Sequence, residues 1–307
     1  MSENSSSHLH NEVFGQAGDW AGVVGRLPEF AAKLPRPGAR VAVIGCGTSF
    51  YMAQAYATLR EQAGLGETDA FAATEARLSR AYDEVLAITR SGTTTEVVDL
   101  LQQVCERGIP TVAIVATPGT PVTEVADEVV VLPEVDEKSV VQTRFATSTL
   151  ALLRASLGED LGGAIADARA VLAESEDDAL TGLGDAEQVT FVGRGWTVGL
   201  AEEAALKLRE SAQFWSESYP AMEYRHGPIS IAAPGRVVWA LGEVPDGLRE
   251  QVEAAGAWFE SRPVDALAEL VRVHRLCLLK ARQQGLDADN PRNLTRSVIL
   301  TESAARA

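Results

Sequence analysis

Short runs in which every position is apolar recur along this chain. Each ends in glycine or a small-residue turn and is followed by an amphipathic stretch. Arg40–Gly45 (RVAVIG) reads as a buried strand closed by glycine, Cys46–Ser49 as a turn, and Phe50–Ala63 as an alanine-rich helix. Glu84–Thr89 repeats the strand pattern, runs into Arg90–Thr95, and gives way to a helix over Glu96–Arg107. Pro110–Ala116 and Glu128–Leu132 read as third and fourth strands. Strands that are apolar on both faces and alternate with helices predict a parallel sheet covered on both sides.

The pattern then starts again. VAVIGCGTS at 41–49 is echoed by VTFVGRGWT at 189–197, so two Gly-x-Gly turns stand 148 residues apart, each between a strand and a helix. After a further strand at Val237–Leu241 the chain becomes mostly helical, over Leu248–Gly256 and Val264–Gly285. This predicts an α/β protein of two doubly wound parallel-sheet units of flavodoxin-like or Rossmann-like type, the second shortened. The expected boundaries are a polar leader at 1–22, a first unit at 23–162, a linker helix and loop at 163–187, and a second unit at 188–307. His8 and His10 in that leader suit adventitious metal chelation at most.

Composition narrows the function. At 307 residues, with 46% apolar and 23% charged positions, the chain has the make-up of a globular protein of one large or two ordinary domains. A net charge of −16 argues against a nucleic-acid backbone or an anionic membrane as partner. A small anion remains possible, because local cradles of backbone N–H overrule global charge. Cys46, Cys105 and Cys277 are widely spaced, which fits no disulfide framework or zinc cluster and suits a reducing cytoplasm. No apolar run reaches membrane-spanning length, and the polar N-terminus has no signal-peptide pattern. The expected location is cytoplasmic. Neither a metal nor a cofactor is expected.

Two loops suit an anion. In Gly45-Cys46-Gly47-Thr48-Ser49, glycines allow a tight turn and bring helix-start N–H groups to the strand ends. A dinucleotide fingerprint would need glycine at 50, where Phe50 stands. Thr89-Arg90-Ser91-Gly92-Thr93-Thr94 offers four hydroxyls and a guanidinium without a phosphate-binding lysine, which suits a sugar-phosphate monoester. Ordinary helix capping by Ser and Thr is the competing explanation for either loop alone.

The stretch from Leu206 to Ile231 carries acid–base chemistry. Glu203, Lys207 and Glu210 fall at i, i+4 and i+7 on one helical face. His226 follows Tyr224 and Arg225 and precedes Gly-Pro, which places it on a loop. A base, an acid and a cation together suit proton transfer on a small polar substrate, against the alternative of a solvated Glu–Lys–Glu ladder. His274, inside an apolar helix, reads as structural.

These segments carry a resemblance. GCGTS (45–49), RSGTT (90–94), EKSVVQT (137–143), EAALKLRE (203–210), EYRHGP (223–228) and NPRNLTRSV (290–298), in this order, are similar to the sugar isomerase (SIS) family, and most closely to the isomerase half of glucosamine-6-phosphate synthases. The resemblance implies phosphate binding by Gly47, Thr48, Ser49, Thr89, Ser91 and Thr94. It implies Glu210 as the base moving a proton between C1 and C2, with Lys207 and Arg292 lining the same site. His226 matches the ring-opening acid/base, which in this family reaches in from a neighbouring subunit, so a homodimer is expected. Arg90 and Gln142 stand near the phosphate in place of the family's usual glutamine and serine. Arg296 replaces the family's Schiff-base lysine, and a guanidinium does not attack a carbonyl. The glutaminase domain of those synthases has no counterpart, so glucosamine synthesis is not expected.

The implied substrate is a hexosamine 6-phosphate. The expected reaction is aldose–ketose isomerisation with deamination. Elimination of water across C2–C3 of an N-acetylhexosamine 6-phosphate competes with it. A non-catalytic sugar-phosphate sensor is a third possibility, against which Glu210 and His226 both stand.

Overall fold

In the computed structural model, which describes residues 7–300, the expected apolar runs become strands. The strands β1 (Val41–Gly45), β3 (Glu84–Ile88) and β4 (Thr111–Val115) are buried at every position. With β2 (Thr68–Ala72) and β5 (Glu128–Val131) they form one parallel sheet in the order β2-β1-β3-β4-β5. A second parallel sheet has the order β7-β6-β8-β9, built from β6 (Gln188–Gly193), β7 (Ser216–Pro220), β8 (Arg236–Leu241) and β9 (Trp258–Glu260). The second order repeats the first with its last strand missing. The duplication and the shortening therefore both stand.

Among the described residues the helices of seven residues or more, numbered along the chain, are α1 (His8–Gly25), α2 (Thr48–Gln62), α3 (Thr95–Glu106), α4 (Arg144–Ser156), α5 (Gly162–Ala173), α6 (Thr197–Ala212), α7 (Leu248–Ala254) and α8 (Ala266–Gln283). Three strands escaped the sequence reading because they lack an all-apolar run. TDAFA (β2) and SESYP (β7) lie at sheet edges and are only partly buried, and WFE (β9) is three residues long. Helix α4 was also missed. Its hydroxyls Thr147, Ser148 and Thr149 are buried beside Leu150–Leu153, so no polar stripe marks it.

The leader expected at 1–22 is corrected over its described part. Leu9, Val13, Ala17, Trp20 and Val23 recur every three or four residues and are all buried, and so are Glu12 and Gln16 between them, so α1 is a packed helix with Asn11 and Phe14 on its exposed side.

The chain forms two compact units whose boundaries differ from those read off the sequence. The five-stranded unit gathers residues 22–136, 145–159 and 295–300. The four-stranded unit gathers residues 7–21, 137–144 and 160–294. The expected linker at 163–187 is part of this second unit. Helix α5 buries Ala164, Ala168 and Val171 and packs on α8, while Lys280 Nζ donates to the carbonyls of Gly184 (2.7 Å) and Ala186 (2.8 Å). Long-range contacts, which no local pattern announces, decide these boundaries.

Candidate functional site

In the five-stranded unit the strand order reverses direction between β1 and β3. Ligands of open α/β sheets bind at the carboxyl ends of strands beside such a switch point. Both hydroxyl-rich loops leave the sheet there. After β1, Gly47 has φ +54°, a conformation that favours glycine, and α2 starts immediately after it with Thr48 and Ser49 buried. A Cβ at Gly45 would stand 2.6 Å from the Ser49 carbonyl carbon, so only glycine lets α2 start this close to its strand.

After β3, Thr89, Arg90 and Ser91 are buried, and Thr94 is the N-cap of α3 without using its side chain as a cap. That observation weakens simple capping as the reason for the hydroxyl at 94. Gly92 has φ +65°, and a Cβ there would overlap Thr120 Oγ1. Thr93 Oγ1 donates to Ser91 Oγ (3.1 Å), and Thr93 N donates to the same oxygen (3.2 Å).

The described part of the tail, residues 295–300, belongs to this unit and lies along the second loop. Thr93 Oγ1 and Ser297 Oγ are hydrogen-bonded at 2.9 Å, and Thr95 N donates to the Val298 carbonyl (3.1 Å). Arg90 donates to the Arg296 carbonyl (3.2 Å). The Arg296 guanidinium pairs with Asp136 and donates to Thr117 Oγ1 (3.4 Å). Arg296 thus anchors the tail to its own unit.

In the four-stranded unit, α6 leaves the second Gly-x-Gly turn and carries the acid–base residues. Lys207 and Glu203 are each only 1% exposed, with Lys207 Nζ 3.6 Å from Glu203 Oε1. Lys207 also donates to Glu210, whose side chain is 20% exposed. A solvated Glu–Lys–Glu ladder is therefore excluded: the ammonium is buried, and only Glu210 reaches solvent. Burial alone pulls the Lys207 pKa down. The carboxylates of Glu203 and Glu210, with Glu137 behind them, outweigh it and hold the pKa above its ordinary value.

Glu137 sits in the loop 137–143, which α1 secures. Glu12 accepts from Lys138 N (2.6 Å) and Ser139 N (3.3 Å) and from the Ser139 hydroxyl. Glu137 accepts from Thr143 N (2.5 Å) and Arg144 N (2.8 Å). Gln142 lies on this loop, in the four-stranded unit, and its Nε2 is buried without a hydrogen-bond partner among the described residues. On the other side of Lys207, burial and then the Lys207 charge press the His274 pKa down to about 3. Its Nδ1 meets Gln16 Nε2 at 3.1 Å, so His274 is a neutral buried residue, as the sequence suggested.

His226 ends a single 3-10 turn, Glu223–Arg225, and is exposed. The turn is fixed by buried Tyr224 and by Arg225, which donates to Gln251 (2.8 Å). Among the described residues the His226 ring makes no hydrogen bond; its backbone N–H donates to Glu223 (2.9 Å).

Glu210 opens into a cavity of about 510 Å³ lined by Arg209, Gln213, Phe214, Trp215, Arg292, Asn293 and Leu294. The structure thus brings Glu210, Lys207 and Arg292 together in one unit. Thr48, Ser49, Thr89, Arg90, Ser91, Thr94 and Arg296 fall in the other. The sequence reading missed Arg209, Gln213 and Trp215. Arg209 is adjacent to Glu210 in the quoted motif and was the one signal available.

Residues 36–157 match the family model for the SIS domain. The glutamine–fructose-6-phosphate aminotransferase (isomerizing) of Sulfolobus acidocaldarius is 27% identical over 295 residues, covering 85% of this chain and 50% of that protein. The enzyme of the same name from Halobacterium salinarum is 27% identical over 346 residues, covering 95% and 57%. The chain thus spans about half the length of the curated relatives it matches. Among solved structures, a glucosamine-6-phosphate deaminase from Thermotoga maritima superposes with a TM-score of 0.81 at 23% identity, over 96% of this chain and 100% of that one. Tagatose-6-phosphate ketose/aldose isomerase from Escherichia coli gives 0.78 at 14% identity, over 97% and 98%. The resemblance to SIS proteins and the fold expected from it are borne out. No helix of the described residues is long and apolar enough to cross a membrane.

Proposed function

We propose that this protein is a hexosamine 6-phosphate enzyme that opens the sugar ring and moves a proton between C1 and C2. The names of its relatives and neighbours, which concern fructose 6-phosphate, glucosamine 6-phosphate and tagatose 6-phosphate, support the substrate class. The observation that carries the chemistry is Glu210, a carboxylate held by a buried ammonium and open to a cavity. In this reading Thr48, Ser49, Thr89, Ser91 and Thr94 take the phosphate. Glu210 removes the C2 proton from the open-chain aldehyde, giving an enolamine. Return of the proton at C1 gives a ketose imine, and hydrolysis of a free imine releases ammonia and a ketose 6-phosphate. Arg296, paired with Asp136, takes no covalent part.

His226 is the ring-opening acid/base in this reading, supplied to a second copy of the chain in a cytoplasmic homodimer. Its exposure on a braced turn, beside Met222 at 46% exposed, supports that role.

A second reading is favoured by Arg209 and Arg292, which line the Glu210 cavity and oppose an ammonium at C2. With an acylated nitrogen, the same deprotonation is followed by departure of the C3 hydroxyl as water, leaving a C2–C3 double bond.

Incubation in D₂O with glucosamine 6-phosphate and, separately, N-acetylglucosamine 6-phosphate, followed by NMR, tests both. Ammonia with fructose 6-phosphate supports the first, and an unsaturated product the second. Retention of the C2 proton in both substrates, with neither product formed, contradicts the proton-transfer reading.

A further inference from the structure

The cavity beside Glu210 has features that proton transfer does not use. Two guanidinium groups, Arg209 and Arg292, line it in a chain of net charge −16. Among the described residues neither is in an ion pair, and Arg209 spends one N–H on the Ser216 carbonyl (3.1 Å). Glu210, the cavity's one carboxylate, is already engaged by Lys207. The remaining walls are the indole of Trp215, half exposed, Phe214, Leu294 and the residues Gln213 and Asn293.

The backbone adds a second, independent observation. Among the described residues, Gln213 (φ +50°) and Asn293 (φ +64°) are the two non-glycine positions with left-handed φ, and both line this cavity. Such conformations are costly for residues with a Cβ and gather at ligand sites, where surrounding structure holds them.

We propose that this cavity is an anion-recognition subsite: it takes a carboxylate or phosphate group through Arg209 and Arg292, with Trp215 and Phe214 covering the neighbouring carbon atoms. The proposal rests on the reading of Glu210 as the C2 base, because that places the subsite beside the C2 nitrogen. The anion then comes either from an acidic acyl group on that nitrogen or from a separate small anion bound alongside the sugar. Guanidinium groups discriminate sharply here, because a charge-assisted, two-pronged contact to an anion is replaced by repulsion when the substituent is an ammonium.

The test is calorimetric binding to the Glu210→Gln protein, which holds ligands without turning them over. Two matched ligands are N-malonyl and N-acetoacetyl glucosamine 6-phosphate, alike in size and different in one charge. The malonyl ligand should bind about tenfold to a hundredfold more tightly. Arg209→Gln and Arg292→Gln should each remove most of that preference, and Arg209→Lys should keep part of it. Inorganic phosphate and malonate, titrated alone and with glucosamine 6-phosphate, form the other arm. Binding that needs Arg209 in this arm, with no malonyl preference, assigns the subsite to a separate anion. Absence of a charge preference in both arms, or a preference that survives both arginine substitutions, overturns the proposal. Deuterium exchange at C2 by the unaltered enzyme is read separately. Loss of that reading with the charge preference intact removes the catalytic role of Glu210 and leaves the subsite standing.

Discussion

Lys207 Nζ lies 3.6 Å from Glu203 Oε1, and both side chains are 1% exposed. A buried ion pair of this kind is weak evidence for net stability, yet breaking it is expensive because it strands a charge. Lys207→Met should therefore destabilise the protein by about 3–5 kcal/mol, whereas replacing both partners, Lys207→Met with Glu203→Leu, should recover much of the loss. Urea unfolding of the three proteins checks this. Equal destabilisation in the single and double variants would contradict the account.

The pH dependence follows from two groups of opposite sign. His274 is neutral in the fold, with a pKa of about 3, so the unfolded chain takes up a proton below 6.5 that the folded chain refuses. Its contribution is complete above about pH 6.5 and falls toward about pH 3 at about 1.4 kcal/mol per pH unit at most. Lys207 behaves inversely: its raised pKa gives stability that is present below 10.5 and lost as pH rises through the folded value. In urea titrations between pH 7 and pH 4.5, His274→Gln should show a shallower slope than the parent. Identical slopes would show that His274 is not buried neutral.

Gly92 is fixed by two constraints at once, a φ of +65° and the Thr120 hydroxyl in the space of a Cβ. Gly92→Ala should lower stability by about 1–3 kcal/mol and weaken phosphate binding more than tenfold, because the 89–94 loop must shift. Adding Thr120→Gly should relieve the clash and leave the strain. Inorganic phosphate affinity and thermal unfolding of the two variants separate these contributions; unchanged affinity in Gly92→Ala would argue against this loop as the cradle.

Gln213 turns the chain from α6 into β7 in left-handed conformation, its N–H on the Arg209 carbonyl (3.0 Å) and the Phe214 N–H on that of Leu208 (3.3 Å). Gln213→Gly should raise stability by about 1 kcal/mol by removing the Cβ penalty. If the cavity is a ligand site, the same change should cost affinity for the malonyl ligand. A destabilised variant would show that the Gln213 side chain holds the fold rather than the ligand.

The sheets were legible where burial on both faces selects a run of apolar residues, as in VAVIG and in the VLAI that follows Glu84. They were illegible at edges, where TDAFA and SESYP mix polar and apolar residues. The acid–base face of α6 was visible from the spacing of Glu203, Lys207 and Glu210. The burial of two of the three was not, since α1, the 137–143 loop and α8 arrive from distant parts of the chain. Helix α1 itself was hidden by polar residues, two of which, Glu12 and Gln16, are buried by partners far along the chain. The left-handed backbone at Gln213 carried no sequence signal at all, because glutamine does not mark such turns.

Proton abstraction at C2 by Glu210 is the claim on which the rest depends. NMR in D₂O with glucosamine 6-phosphate and N-acetylglucosamine 6-phosphate, comparing the parent with Glu210→Gln, tests it directly. The account predicts loss of the C2 proton signal with the parent for at least one substrate, and its persistence with Glu210→Gln, in which phosphate binding is retained. Exchange at C2 that continues at the parent rate in Glu210→Gln would contradict it and move the base to another carboxylate.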